Sequence, residues 1–208
     1  MNRIEISINR RSREANPPAM TPSAQNHRSV IVFILCILCS LPSLRAAVTA
    51  PVPTSLVEDG IRFAKVGATT FRWMSILKVY DAALHLGEGE PPTRIFADIP
   101  TRLHLAYHRS FTAAEIVKGG DALLARNVDA PTREVLKERL DRINRAYRDV
   151  KAGDSYTLTY VPGRGTTLRL NGTPLDTIPG HDFAAAYFRI WFGESPISPS
   201  LRDTLLAR

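Results

Sequence analysis

The sequence predicts an α+β domain: a large antiparallel sheet with helices packed on one face, an open-faced β-sandwich. Two observations carry that prediction. Residues 154–180 read as three consecutive strands joined by tight turns, after which the apolar period changes from 2 to helical spacing at Phe183. Two further helical stretches precede them and follow a first group of strands, so strands and helices are segregated along the chain rather than alternating one by one.

Residues 1–50 read as a leader and residues 51–208 as one domain. Val30 to Leu41 is an apolar run of 12 residues preceded by Arg3, Arg10, Arg11, Arg13 and Arg28. Its length fits the apolar core of a signal peptide and falls short of the ~20 residues that span a bilayer. Val48-Thr49-Ala50 is a small-residue cleavage site, with Arg45-Ala46-Ala47 as a second choice, and Met20 is a candidate start. The expected location is the periplasm or the exterior; an uncleaved N-terminal anchor is the alternative. The only cysteines, Cys36 and Cys39, lie in this run, so the mature chain is expected to hold no disulfide.

The net charge of +7 is uneven, with +4 in residues 1–50 and +3 in the remaining 158. A nucleic-acid binder needs a concentrated basic face, which the domain lacks, so no nucleic-acid partner is expected. Membrane contact is expected only through the leader, and the oligomeric state is not legible.

The elements follow in order. Ala50 to Pro53 is a linker. Ile61 to Trp73 is a strand interrupted near Gly67. Ile76 to Leu86 is apolar on both faces, which marks a central strand. Gly87 to Pro92 is a loop, and Arg102 to Tyr107 a strand with Leu103, Leu105 and Tyr107 on one face. Thr112-Ala-Ala-Glu115 is a capping box and starts a helix with Ile116, Val117, Leu123 and Leu124 inward. Gly119-Gly120 weakens that helix and predicts a close approach, a kink or a ligand opening. Pro131 opens the next helix, whose buried stripe is Leu136, Leu140, Ile143, Tyr147 and Val150.

The strand with Tyr156, Leu158 and Tyr160 on one face turns at Pro162-Gly163-Arg164-Gly165. The next, with Thr166, Leu168 and Leu170 on one face, turns at Asn171-Gly172, the pair suited to a type I′ hairpin. Thr173 to Ile178 is the last strand. A helix with Phe183, Tyr187, Ile190 and Trp191 follows, with Asp182 placed to cap its start and Gly193 to end it. Ser198-Pro199 starts a short closing helix with Leu201, Leu205 and Leu206 on one side.

Little in the chain reads as catalytic. It has no nucleophile elbow, no phosphate loop and no His-Glu-x-x-His. His104 and His108 have the spacing of a helical metal pair but lie in a strand, ~13 Å apart, so neither metal nor cofactor is expected. His85 and His181 read as structural or surface residues. Arg72, Lys78 and Tyr80 stand out as polar groups in apolar strands. A cation buried there needs a carboxylate, from the protein (Asp81 is nearest in sequence) or from a ligand.

The runs Tyr160-Val-Pro-Gly-Arg-Gly-Thr166, Asn171-Gly172, Ile178-Pro-Gly180 and Phe188-Arg-Ile-Trp-Phe-Gly193, with Pro199-Ser-Leu-Arg202 behind them, resemble the exported bacterial branch of the chalcone isomerase-like family. The resemblance spans about Gly60 to Leu206. It implies the open-faced sandwich and a ligand cleft between sheet and helices. It matches Arg72, in Gly67-Ala-Thr-Thr-Phe-Arg72, to the arginine that steadies a flavonoid anion in active plant members. The threonine of the next strand is replaced by Tyr80, the expected Tyr and Asn are missing from Phe111 to Gly119, and Ala184 stands near the last Ser/Thr position. One of five catalytic positions is thus kept.

Non-catalytic relatives keep the arginine for a fatty-acid carboxylate. The expected function is therefore an exported, non-catalytic domain binding a small apolar acid through Arg72, Tyr80 and Lys78. The alternatives are an isomerase of the intramolecular lyase type and an envelope interaction protein without a small ligand.

Overall fold

The computed structural model describes residues 53–208, all within one compact unit. The expected leader, its expected cleavage site and the two cysteines lie outside the described residues. Seven strands form one antiparallel sheet in sequence order: β1 (Ser55–Glu58), β2 (Ile61–Trp73), β3 (Leu77–Gly87), β4 (Thr101–Tyr107), β5 (Ser155–Val161), β6 (Gly165–Leu170) and β7 (Thr173–Ile178). Six helices follow the expected segregation: α1 (Ala113–Asn127), α2 (Ala130–Val135), α3 (Lys137–Ala146), α4 (His181–Tyr187), α5 (Arg189–Phe192) and α6 (Pro199–Leu205). They pack on one side of the curled sheet, as the α+β reading requires.

Alternation fixes the two faces. Tyr80, Ala82, Leu84 and Leu86 of β3, Leu103, Leu105 and Tyr107 of β4, and Tyr156, Leu158 and Tyr160 of β5 are buried toward the helices. Phe183, Tyr187, Phe188, Ile190 and Trp191 fill the other side of that core. Tyr147 and Tyr187 share a buried hydroxyl–hydroxyl hydrogen bond of 2.9 Å, which satisfies polar tips that the apolar layer would otherwise strand. Phe63, Ala83 and Val161 are buried apart from this core, on the opposite face.

Local chemistry explains the elements. Thr112 Oγ1 accepts from Glu115 N at 3.2 Å while Glu115 accepts from Thr112 N at 2.8 Å, so the capping box forms at the start of α1. Asn171 and Gly172 take φ of 50° and 82°, the left-handed pair of a type I′ hairpin. The β2–β3 turn uses the same left-handed conformation at Met74 (φ 51°) and Ser75 (φ 66°), with no glycine to relieve it, at a cost of about 1–2 kcal/mol per residue.

Several expectations are corrected. A first strand, β1, precedes those that the periodicity predicts, and β3 starts at Leu77 because Ile76 belongs to the turn. The helical stripe through Val150 breaks. The helix is split at Leu136 and ends at Ala146, and Tyr147 and Val150 are buried from extended backbone, Val150 bridging Phe111. Asp182 does not cap α4. Gly180, at φ 100°, holds that position, and the Asp182 carboxylate pairs with Arg139 instead. Gly193 ends α5 without a left-handed turn; a Cβ there would fall 2.7 Å from Arg189 O, so close approach requires the glycine. Gly119 has nothing within 4 Å of a Cβ and Gly120 only Ile190 at 3.9 Å, so no tight contact demands this pair.

Candidate functional site

The end of the β2–β3 hairpin places the three residues singled out by sequence. Arg72 and Lys78 face each other across the strands, next to the register pair Phe71 and Tyr80. Both cations are exposed, while Tyr80 is buried. The expectation of a cation buried against an apolar sheet is therefore corrected. A register irregularity between Phe71 and Arg72 offsets the strand at this point. Beyond it the hairpin end is solvent-exposed, with Met74 69% and Ile76 81% accessible. Asp81 is not the partner of Arg72: it accepts from Thr70 Oγ1 at 2.6 Å and lies 2.9 Å from His108 Nε2. The Thr70 and His108 contacts outweigh the burial of the Asp81 carboxyl and hold it below its usual range.

Tyr80 lies in an aromatic row, 5.2 Å from the Phe71 ring and 5.7 Å from Tyr107. Burial pushes its hydroxyl far above the ordinary tyrosine range, so it stays a neutral donor. That hydroxyl sits by Trp191 but makes no hydrogen bond of good geometry. The buried Trp73 Nε1 also has no partner. A buried donor without an acceptor is uncommon in folded proteins, and these two are among five such polar atoms in the described residues. Two such donors bracket Arg72 in the strands, and Arg72 itself makes no ion pair among the described residues.

A groove of about 300 Å³ opens at Arg72; neither Tyr80 nor Trp73 lines it. Thr69, Arg72 and Ser75 line it from β2 and its turn, Ser200 and Thr204 from α6 and Ser198 from the cap of α6, with Phe71 and Leu201 supplying apolar surface. The arrangement offers one planar cation, several hydroxyls and a small apolar floor, which is carboxylate chemistry. A second groove, of about 450 Å³, runs between α1 and α2–α3. In its lining Lys137 pairs with Asp141 at 2.6 Å, and Asn144 donates to Asp121 at 3.1 Å.

The opposite face of the sheet holds a polar cluster that the sequence reading missed. Glu58, at the end of β1, accepts from Arg102 Nε at 2.7 Å, Arg169 Nη1 at 3.0 Å and Thr159 Oγ1 at 2.6 Å. Arg169 also donates to Asp59 at 2.8 Å. Burial would raise the Glu58 carboxyl, but Thr159, Arg102 and Arg169 outweigh it and hold it below the usual range. Nearby, burial and then Arg102 push the His104 imidazole down to about 4, and its Nδ1 lies 3.0 Å from Thr157 Oγ1. The charges here satisfy one another, so the cluster fastens β1 across β4–β6 and leaves nothing over for a ligand.

Among the described residues no group of three His, Cys, Asp or Glu side chains could hold a metal, and no helix is long and apolar enough to cross a membrane. His104 and His108 serve separate partners, Thr157 and Asp81. His181 Nε2 meets Phe96 O at 2.9 Å.

Comparison with known proteins agrees with this architecture. The profile of the family described as Chalcone isomerase-like matches residues 49–207. No curated protein matches the sequence. Among solved structures, a fatty-acid binding protein of Arabidopsis thaliana superposes with a TM-score of 0.54 at 13% identity, over 73% of this chain and 95% of that one. At that identity the likeness is one of fold.

Proposed function

As the chain belongs to the chalcone isomerase-like family, we propose that it is an exported, non-catalytic domain that binds a small apolar acid. The observation that carries this reading is the groove at the β2–β3 end, lined by hydroxyls and by an exposed arginine that makes no ion pair among the described residues. Arg72 holds the carboxylate through its planar fork, Lys78 adds positive potential from the paired strand, and the acid's carbon chain lies on Phe71 and Leu201. Tyr80, buried and outside the groove's lining, packs behind Phe71 rather than reaching the acid. The fold shared with a plant fatty-acid binding protein supports this choice of ligand class. The apolar run Val30 to Leu41 supports export.

Catalysis of the isomerase type finds less support. Tyr80 stands where the resemblance places a threonine, and Ala184, buried at 2% exposure, brings only a methyl group to the last catalytic position. Ring closure needs donors that hold a water in place.

The test is calorimetry and thermal shift with saturated acids from C8 to C18, on the wild type and Arg72→Ala. At about 1.5–3 kcal/mol for a charged hydrogen bond, Arg72→Ala weakens binding roughly tenfold or more with little change in stability. No shift with any acid, or affinity unchanged by the substitution, rejects the reading. Turnover of chalcone above the buffer rate would replace it with the isomerase.

A further inference from the structure

The tip of the β2–β3 hairpin does something that neither the groove nor the core explains. Ile76 N donates to Trp73 O at 3.2 Å and closes a two-residue turn through Met74 and Ser75. Three of the five large apolar side chains exposed among the described residues lie here: Met74 at 69%, Ile76 at 81% and Leu77 at 38%. The turn is convex and narrow, so these side chains project rather than form a flat face. Immediately behind them, Arg72 and Lys78 sit opposite one another, both exposed. The sequence has no acidic residue from Gly60 to Tyr80. Trp73, half-buried beside Leu77, completes the collar. Met74 and Ser75 both adopt left-handed φ, at a turn where Asn-Gly would be relaxed.

We infer that this tip docks the domain on an anionic lipid surface, with Met74, Ile76 and Leu77 entering the acyl boundary and Arg72 and Lys78 resting among the head groups. A few projecting apolar side chains with cations one step behind them match the depth profile of a bilayer interface, where apolar burial and attraction to anionic lipid add. A flat protein partner would leave the convex tip poorly covered, and a second copy would bring its own pair of cations against these. The contact adds to the membrane association expected of the leader alone, and it stands whether or not the groove binds an acid.

The domain carries a local reporter. Of the two tryptophans, Trp73 is at the tip and Trp191 is 6% exposed in the core. The full chain is mixed with vesicles of phosphatidylcholine carrying brominated acyl chains, with and without phosphatidylglycerol. The expected result is quenching that requires the anionic lipid, weakens with salt and disappears in Trp73→Phe. Ile76→Asp and Met74→Asp, both at exposed positions, reduce the local quenching about tenfold or more without moving the thermal midpoint. Since Trp73 reports only its surroundings, a leader bound to the same vesicle does not mimic the signal. Quenching of wild type that is absent, or unchanged in Ile76→Asp, overturns the inference. So does concentration-dependent dimerisation lost in Ile76→Asp, which would assign the tip to a second copy.

Discussion

Replacing Glu58 with alanine measures how firmly the first strand is fastened. The carboxylate takes hydrogen bonds from Arg102, Arg169 and Thr159 at 2.6–3.0 Å. Without it, Arg169 keeps Asp59, but Arg102 loses its ion pair with only 15% of its side chain exposed. Breaking a buried pair costs about 3–5 kcal/mol. Residual water access and the surviving Asp59 contact put this case at the low end, about 3 kcal/mol. For a domain of this size each kcal/mol moves the midpoint by about 2–4 °C, so Tm should fall by roughly 6–12 °C. Urea unfolding of Glu58→Ala, Arg102→Ala and the double variant provides the check. The double variant should recover about 1–2 kcal/mol of the summed losses, because the orphaned guanidinium is gone. A single-variant loss below about 1 kcal/mol, or a coupling within 0.3 kcal/mol of zero, refutes the idea that this network holds β1.

Two further outcomes follow from the same coordinates. Glycines of two kinds should respond oppositely: at Gly67 a Cβ would lie 2.7 Å from Leu205 O and 2.9 Å from Leu205 Cα, so Gly67→Ala should cost about 2 kcal/mol by overpacking α6. Gly119→Ala, in open space on α1, and Gly120→Ala, whose Cβ would meet only Ile190 at an ordinary 3.9 Å, should each gain about 0.5–1 kcal/mol in chemical denaturation, and a loss at either would refute this account of the pair. Stability should also fall in mild acid. Folded His104 titrates at about 4, below the unfolded value of about 6.5, so the folded state binds fewer protons; its contribution is complete above pH 6.5 and is lost as pH falls toward 4, about 2 kcal/mol by pH 5. His85, lowered chiefly by burial, adds in the same direction. Denaturation curves from pH 7.5 to 4.5 should flatten in His104→Gln, and a wild-type curve level between pH 6.5 and 5 would refute the assignment.

What could be read from the chain was local. Asn171-Gly172 and the Thr112–Glu115 box announce themselves because each satisfies a backbone need within four residues. The segregation of strands and helices follows from period alone. β1 was illegible because its purpose lies far away: Glu58 meets Thr159 across a separation of 101 residues, and four residues offer no period to measure. Tyr147 and Val150 keep helical spacing and are buried, yet Val150 is held by a bridge to Phe111 and Tyr147 packs on Tyr156 and Tyr187, which no periodicity distinguishes from a helix face. For the candidate site, residue type pointed to Arg72, Lys78 and Tyr80, but their exposure depends on a strand irregularity and on where the helical layer stops. Neither is written in the hairpin itself.

Each strand pairs with the one before it, yet the face of β2 is closed by α6, the last element of the chain. A ribosome delivering this protein N-terminus first would release β2 some 130 residues ahead of its cover. Until Leu201, Leu205 and Leu206 arrive, the nascent sheet is complete in its hydrogen bonding but bare around Gly67. The interval of greatest exposure to aggregation or proteases therefore falls at the very end of synthesis, and a chain missing its final ten residues would never leave it.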